Sequence, residues 1–261
     1  MSDQFLKSFY GLEGKTALVT GGGRGLGRGM ALALAQAGAD LALVSRTESE
    51  LKDAAEKAGS LAPERKVLPI AADLSRLEEI PKIVDKVMAE FGRIDILINN
   101  AGHNRRNPAA EFSFEDWDAV LNLNLKAAFA MAQAVGRVMI RQGKGKIINT
   151  ASLTSFFGIP NMVAYCASRG GVAQMTKALA VEWAKSGINV NAIAPGYFLT
   201  KQTEPFLGDP KKKEWVLSRI PMGKLGDAEK DMGCAAVFLA SSASDYITGQ
   251  ILIVDGGWMA A

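Results

Sequence analysis

Cysteine is scarce in this 261-residue chain, and the two present, Cys166 and Cys234, show no metal-ligand spacing. They read as ordinary thiols of a reducing compartment, with no metal site implied. No apolar run approaches the roughly 18 to 20 residues of a membrane span, and the opening Met-Ser-Asp-Gln lacks the basic-then-apolar pattern of a targeting segment. A cytoplasmic protein without membrane contact is the expectation. Charge of one sign is also lacking: 30 Lys plus Arg stand against 27 Asp plus Glu, and the formal excess of +3 is dispersed except at Lys211 to Lys213. That is too weak a field for nucleic acid. No stretch is Pro/Ser-rich, strongly charged or of low complexity, and no repeat recurs at a fixed period. Residues 1–261 therefore read as one domain.

What the chain does contain is alternation. Short β-rich runs are expected near Thr16 to Thr20, Leu41 to Ser45, Val67 to Ile70, Ile94 to Ile98, Lys146 to Asn149, Asn189 to Ile193 and Ile251 to Val254. Most are continuously apolar, as strands buried on both faces are. Helical patterns fill the gaps, at Gly25 to Gly38, Glu48 to Ala58, Leu77 to Phe91, Phe114 to Arg141, Asn161 to Ser186 and Ala228 to Ala240. This predicts an α/β fold, a single doubly wound Rossmann-type domain with a seven-stranded parallel sheet and helices on both faces. The interval 197–226 has no clear repeat, and a stretch that long in a compact domain is expected to be a lid over substrate.

The run Thr20-Gly21-Gly22-Gly23-Arg24-Gly25-Leu26-Gly27 closes the first strand and opens the first long helix. Side-chain-free positions there let the backbone turn tightly and approach a pyrophosphate, met by amide N–H groups and the helix N-terminus. At the end of the second strand, an acidic residue would bind the free ribose hydroxyls of NAD. Here Ser45 and Arg46 stand instead, and with Arg24 they offer donors to a 2′-phosphate. NADP(H) is favoured, with NAD(H) possible.

The T-G-x-x-x-G-x-G spacing resembles the short-chain dehydrogenase/reductase family. Further pieces match in order: Asp73-Leu74, Asn99-Asn100-Ala101-Gly102, Asn124, Ser152, Tyr165, and Pro195-Gly196 with Thr200. The resemblance implies that Asp73 and Leu74 contact adenine and that Asn100, Ala101 and Gly102 pack under the nicotinamide ribose. It implies that Tyr165 gives a proton to a carbonyl oxygen as hydride arrives, that Ser152 holds that oxygen, and that Asn124 orders a water chain. The family pattern is Tyr-x-x-x-Lys, whereas Arg169 follows Tyr165 here. A fixed cation roughly 5 Å away, at an effective dielectric of about 20, is worth about 3 kcal/mol to a developing phenolate, and arginine supplies that field as well as lysine. It releases a proton into a relay less readily. The same substitution leaves open a non-catalytic dinucleotide-binding sensor.

His103, the only histidine, opens the segment His103-Asn104-Arg105-Arg106-Asn107-Pro108 beyond the fourth strand, where ligands bind in such sheets. Arg105 and Arg106 suit an anionic substrate, or are surface or interface charges. The Arg-Arg segment, Ile159-Pro160-Asn161, the run ending Pro195-Gly196-Tyr197 and the ending Val254-Asp255-Gly256-Gly257-Trp258 resemble the gluconate 5-dehydrogenase and deoxygluconate dehydrogenase branch. That implies a sugar acid such as 5-keto-gluconate or gluconate as substrate, with Tyr197 near it, and a neutral ketone as the alternative. Family likeness further implies a homotetramer, with the fourth and fifth helices, from Phe114 and from Asn161, making one interface and the last helix and strand the other.

Overall fold

The structure is a computed structural model describing residues 3–261. Its elements run α1 (Asp3–Tyr10), β1 (Thr16–Thr20), α2 (Gly25–Gln36), β2 (Asp40–Ser45), α3 (Glu48–Leu61), β3 (Val67–Ala71), α4 (Glu79–Phe91) and β4 (Ile96–Asn99). They continue as α5 (Phe114–Leu121), α6 (Ala127–Gln142), β5 (Gly145–Thr150), α7 (Val163–Trp183), β6 (Ile188–Pro195), α8 (Glu204–Leu207), α9 (Pro210–Ser218), α10 (Gly233–Ala240) and β7 (Ile251–Val254). The seven strands form one parallel sheet in the order β3-β2-β1-β4-β5-β6-β7.

The strand sequences explain their places. Every residue of β1, β4 and β5 is buried: apolar residues such as Leu18, Val19, Leu97, Ile98, Ile147 and Ile148 fill the middle of the two-sided sheet, while Asn99, Lys146 and Asn149 are buried with hydrogen-bond partners. Edge strand β3 carries Pro69, whose missing N–H is acceptable where there is a neighbour on one side only. Helices α2, α3 and α10 cover one face, burying Leu34, Leu51 and Leu239; α4, α6 and α7 cover the other through Ile83, Met131 and Leu179. Each such side chain contributes on the order of 1.5–3 kcal/mol by leaving water. Strand order reverses between β1 and β4, so the loops at their carboxyl ends part and open a crevice.

Three sequence expectations are corrected. The helix expected from Phe114 to Arg141 is interrupted by a π-helical turn, Asn122–Lys126, because one residue more than an α-turn holds is accommodated there; it brings Asn124 fully inside. The expected helix from Ala228 likewise begins with a π turn, Ala228–Met232. The interval 197–226 is not free of regular structure. It holds α8 and α9, and α9 starts at Asp209, whose carboxylate accepts the N–H groups of Lys211 and Lys212. Beneath these helices Leu153, Leu207, Val216, Ile220 and Trp258 make a small separate core.

Candidate active site

A cleft of about 510 Å³ lies at the strand-order reversal, walled by the glycine turn, the ends of β2, β4, β5 and β6, and the start of α7. The glycines at its floor are required by space. A Cβ on Gly27 would stand 2.2 Å from the carbonyl oxygen of Gly21, and Gly21 itself has φ +65°. Thr20, which sequence reasoning left as the last strand residue, fixes this wall to the opposite one. Its hydroxyl donates to the Ile98 carbonyl and accepts the N–H groups of Asn100 (2.9 Å) and Ala101 (3.1 Å). The Asn100 amide in turn donates to the Thr20 and Gly21 carbonyls.

At one end the lining comprises Arg24, Ser45, Arg46, Thr47, Glu50, Asp73 and Leu74. Arg46 is exposed, and its charge acts on Asp73. Burial raises the Asp73 carboxyl, but hydrogen bonds from the Ser75 N–H and hydroxyl, with Arg46 and Arg76 nearby, outweigh it and hold the group below the usual range. Arg24 does not stand free beside the ribose position as the sequence suggested. Its Nη1 pairs with Glu50 Oε1 at 3.1 Å, and the same oxygen receives Lys201 Nζ at 2.8 Å.

At the other end Ser152, Tyr165 and Arg169 line the same cleft, together with Thr150, Gly102, His103 and Asn104. Ser152 caps the short 3-10 turn Leu153–Ser155: its oxygen accepts the Thr154 N–H at 3.1 Å, which leaves its O–H able to donate. Tyr165 and Arg169 fall one helical turn apart on α7. The guanidinium lies over the Tyr165 ring, 5.1 Å from its centroid, and Nη1 donates to the Thr150 carbonyl at 2.6 Å. Arg169 is buried, and its Nε has no hydrogen-bond partner. A buried, incompletely bonded cation on the wall of a polar cleft is a receptor for an oxygen-rich group. Gly102 makes room for it: a Cβ there would lie 2.5 Å from Arg169 Nη2.

Asn124 occupies the π turn, with its side chain fully engaged by protein. Its oxygen accepts the His103 N–H, and its amide donates to the His103 carbonyl and the Ser168 hydroxyl. Its side chain thus positions the loop after β4. Burial pushes the His103 imidazole down, helped by Arg105, Arg46 and Arg169, so the ring is neutral at pH 7.

Pro195, Gly196 and Thr200 line the cleft as expected, but the substrate candidates divide. Arg105 turns outward to Asp116 at 3.6 Å. Arg106 stacks over Phe206 of α8, 5.4 Å from the ring centroid. Tyr197 is not part of the cleft wall; its ring packs on Trp258 with centroids 4.8 Å apart, in the core beneath the 197–226 segment. Burial raises the Tyr197 hydroxyl, while Arg106 and Arg219 pull it back. Thr20, Glu50 and Lys201 are among the lining or bridging residues to which sequence reasoning gave no role of their own, as are Thr47, Thr150 and Thr203. Only Thr20, a polar residue closing an apolar strand, carried a local signal.

A dinucleotide-shaped crevice at the switch of a parallel sheet, with a serine, a tyrosine and a buried cation at one end, defines a nicotinamide-type oxidoreductase of the doubly wound class. The family model described as enoyl-(acyl carrier protein) reductase matches residues 21–259, and the chain belongs to that short-chain dehydrogenase/reductase family, with relatives that are dehydrogenases of CH–OH groups. The 2-dehydro-3-deoxy-D-gluconate 5-dehydrogenase of Escherichia coli (strain K12) is 49% identical over 97% of this chain and 98% of its own length. The gluconate 5-dehydrogenase of Gluconobacter oxydans (strain 621H) is 41% identical over 95% and 96%. A crystal structure of a gluconate 5-dehydrogenase from Burkholderia cenocepacia J2315, in complex with NADP and tartrate, superposes with a TM-score of 0.92 at 38% identity, covering 97% and 98% of the two chains.

Proposed function

We propose that this protein interconverts a ketone and a secondary alcohol of a sugar acid, of the 5-keto-gluconate or deoxygluconate type, with NADP(H) favoured over NAD(H). The observation that carries the reading is that Ser152, Tyr165 and Arg169 share one cleft with the glycine turn. Gly21, Gly23, Gly25, Leu26 and Gly27 would hold the pyrophosphate, with Ser45, Arg46, Asp73 and Leu74 at the adenosine end. Asn100, Ala101, Gly102, Pro195, Gly196 and Thr200 would hold the nicotinamide end. When bound, the nicotinamide supplies or accepts the hydride.

The chain's own residues do the rest. Ser152 donates its O–H to the substrate oxygen, which fixes the carbonyl and disperses charge that develops on it. Tyr165 passes its phenolic proton to that oxygen in reduction and takes it back in oxidation. Arg169, a cation on the ring face, stabilises the phenolate that forms. Asn124, through His103, keeps the loop after β4 against the cleft. Arg106 is the candidate for the substrate carboxylate: among the described residues it has no acidic partner, and it is exposed against Phe206 of the segment 197–226, with its charge acting on Tyr197. The names of the relatives above support the same substrate class. Assembly into a homotetramer belongs to this reading, and side chains such as Phe114 and Val181, 85% and 82% exposed, supply apolar surface for it.

The test is a spectrophotometric screen of 2-dehydro-3-deoxygluconate, gluconate, 5-keto-gluconate and neutral cyclic ketones with NADPH, NADH and their oxidised forms. Turnover of the acids well above the neutral ketones is the expected result. Equal or greater turnover of neutral ketones overturns the substrate class.

A further inference from the structure

The adenosine end of the cleft holds an anion as well as cations. Glu50, in the first turn of α3, has only 17% of its side chain exposed, and a single oxygen, Oε1, receives Arg24 at 3.1 Å and Lys201 at 2.8 Å. Glu50 abuts the glycine turn: a Cβ on Gly23 would lie 3.1 Å from Ser45 Oγ and 3.2 Å from Glu50 Cβ. The carboxylate therefore stands within the wall that Ser45, Arg46 and the glycine turn build. Its two partners remain adaptable. The side chains of Arg24 and Lys201 are 56% and 67% exposed, and each gives Glu50 one of its several donors.

Lys201 also comes from far away in the chain, 151 residues from Glu50, on the segment that follows β6. One carboxylate thus joins the glycine turn to the lid segment. The hydrogen bond from Lys201, with the charge of Arg24, holds Glu50 below the ordinary carboxylate range despite its burial, so it is ionised at neutral pH.

We propose that Glu50 is a specificity-determining residue for the cofactor: it competes with a 2′-phosphate for Arg24 and Lys201, and so limits the preference for NADP over NAD. A phosphate carries about −1.5 to −2 charge at pH 7 and would displace a single carboxylate from these cations, while Glu50 nearby repels it. A ribose with a free 2′-hydroxyl gains nothing from removing Glu50. Lys201 is accordingly a phosphate ligand that no local motif announces, and its engagement ties the lid segment to the identity of the cofactor.

The inference rests on the adenosine-end reading above and is independent of the substrate. The probes are adenosine 2′,5′-bisphosphate and 5′-AMP, which differ only in the 2′-phosphate, titrated calorimetrically into the full-length protein. A stronger hold of the unaltered protein on the bisphosphate tests the cofactor reading; the change on substitution tests Glu50. Glu50→Gln is expected to tighten the bisphosphate about tenfold and leave 5′-AMP within about twofold. Lys201→Met, at an exposed site that does not support the core, is expected to weaken the bisphosphate about tenfold with 5′-AMP unchanged. Unchanged or weaker bisphosphate binding by Glu50→Gln, or an equal change for both ligands in either variant, overturns the proposal.

Discussion

Removing the charge of Arg169 separates its electrostatic and structural contributions. In Arg169→Met the cation disappears from its place 5.1 Å from the Tyr165 ring centroid. For a cation and a developing phenolate on the order of 5 Å apart at an effective dielectric of about 20, the general figure is about 3 kcal/mol, or on the order of a hundredfold in kcat if the transition state carries most of that charge. The same change leaves the buried Thr150 carbonyl without its 2.6 Å donor, a loss of about 1–3 kcal/mol of stability, and Tm falls by about 2–4 °C per kcal/mol. Arg169→Lys keeps the charge and is expected to preserve or raise turnover, because an ammonium exchanges protons more readily. It still loses some stability, since one nitrogen cannot serve both the Thr150 carbonyl and the ring face. Steady-state kinetics of ketone reduction, paired with thermal unfolding of each variant, reads both effects. Retention of kcat within about threefold by Arg169→Met, in a protein shown to be folded, would refute the electrostatic role.

Tyr165→Phe keeps the ring under the guanidinium but deletes the proton, so kcat falls about a hundredfold or more with little change in dinucleotide affinity; unaltered turnover would defeat the proposed chemistry and favour a binding protein. Arg106→Ala is expected to raise KM for a sugar acid several-fold more than for a neutral ketone, whereas Arg105→Ala, at a surface pair with Asp116, changes either little, and the ratio of the two KM values decides. Because His103 is lowered in the folded chain, the unfolded chain takes up a proton first as pH falls below about 6.5, and stability declines there; His103→Gln should flatten that decline in denaturant titrations between about pH 5 and 7, and an unchanged slope counts against a buried neutral imidazole.

The strands were legible because a parallel sheet buried on both faces favours apolar, β-branched runs, and each expected run begins and ends within about two residues of its strand. The glycine turn and the spacing of Ser152, Tyr165 and Arg169 were legible because the chemistry is local in sequence. The π turn that carries Asn124 was not legible, since one extra residue in a helix leaves no trace in an apolar periodicity that continues on both sides. Helix α9 was missed although Asp209-Pro210 is a cap followed by a proline at the first helical position, because Lys211 to Lys213 gives no apolar stripe. The orientations of Arg24, Arg105 and Tyr197 depend on Glu50, Asp116 and Trp258, partners that no local pattern names. For Arg24 and Tyr197 the partner lies 26 and 61 residues away along the chain, and for Arg105 it is a surface pair.

The hydroxyl of Thr20 reaches its partners 78 to 81 residues further along the chain. During synthesis at roughly 5–20 residues per second, the glycine turn waits about 4–16 s before the opposite wall of the cleft has been made. Closing a loop of that length costs conformational entropy that only the pairing of β1 with β4 repays, so the cleft arises with the sheet centre and not before. A dinucleotide that needs both walls therefore stabilises the finished molecule and gives nothing to a half-made one, which makes ligand-induced protection from proteolysis a direct readout of completed folding.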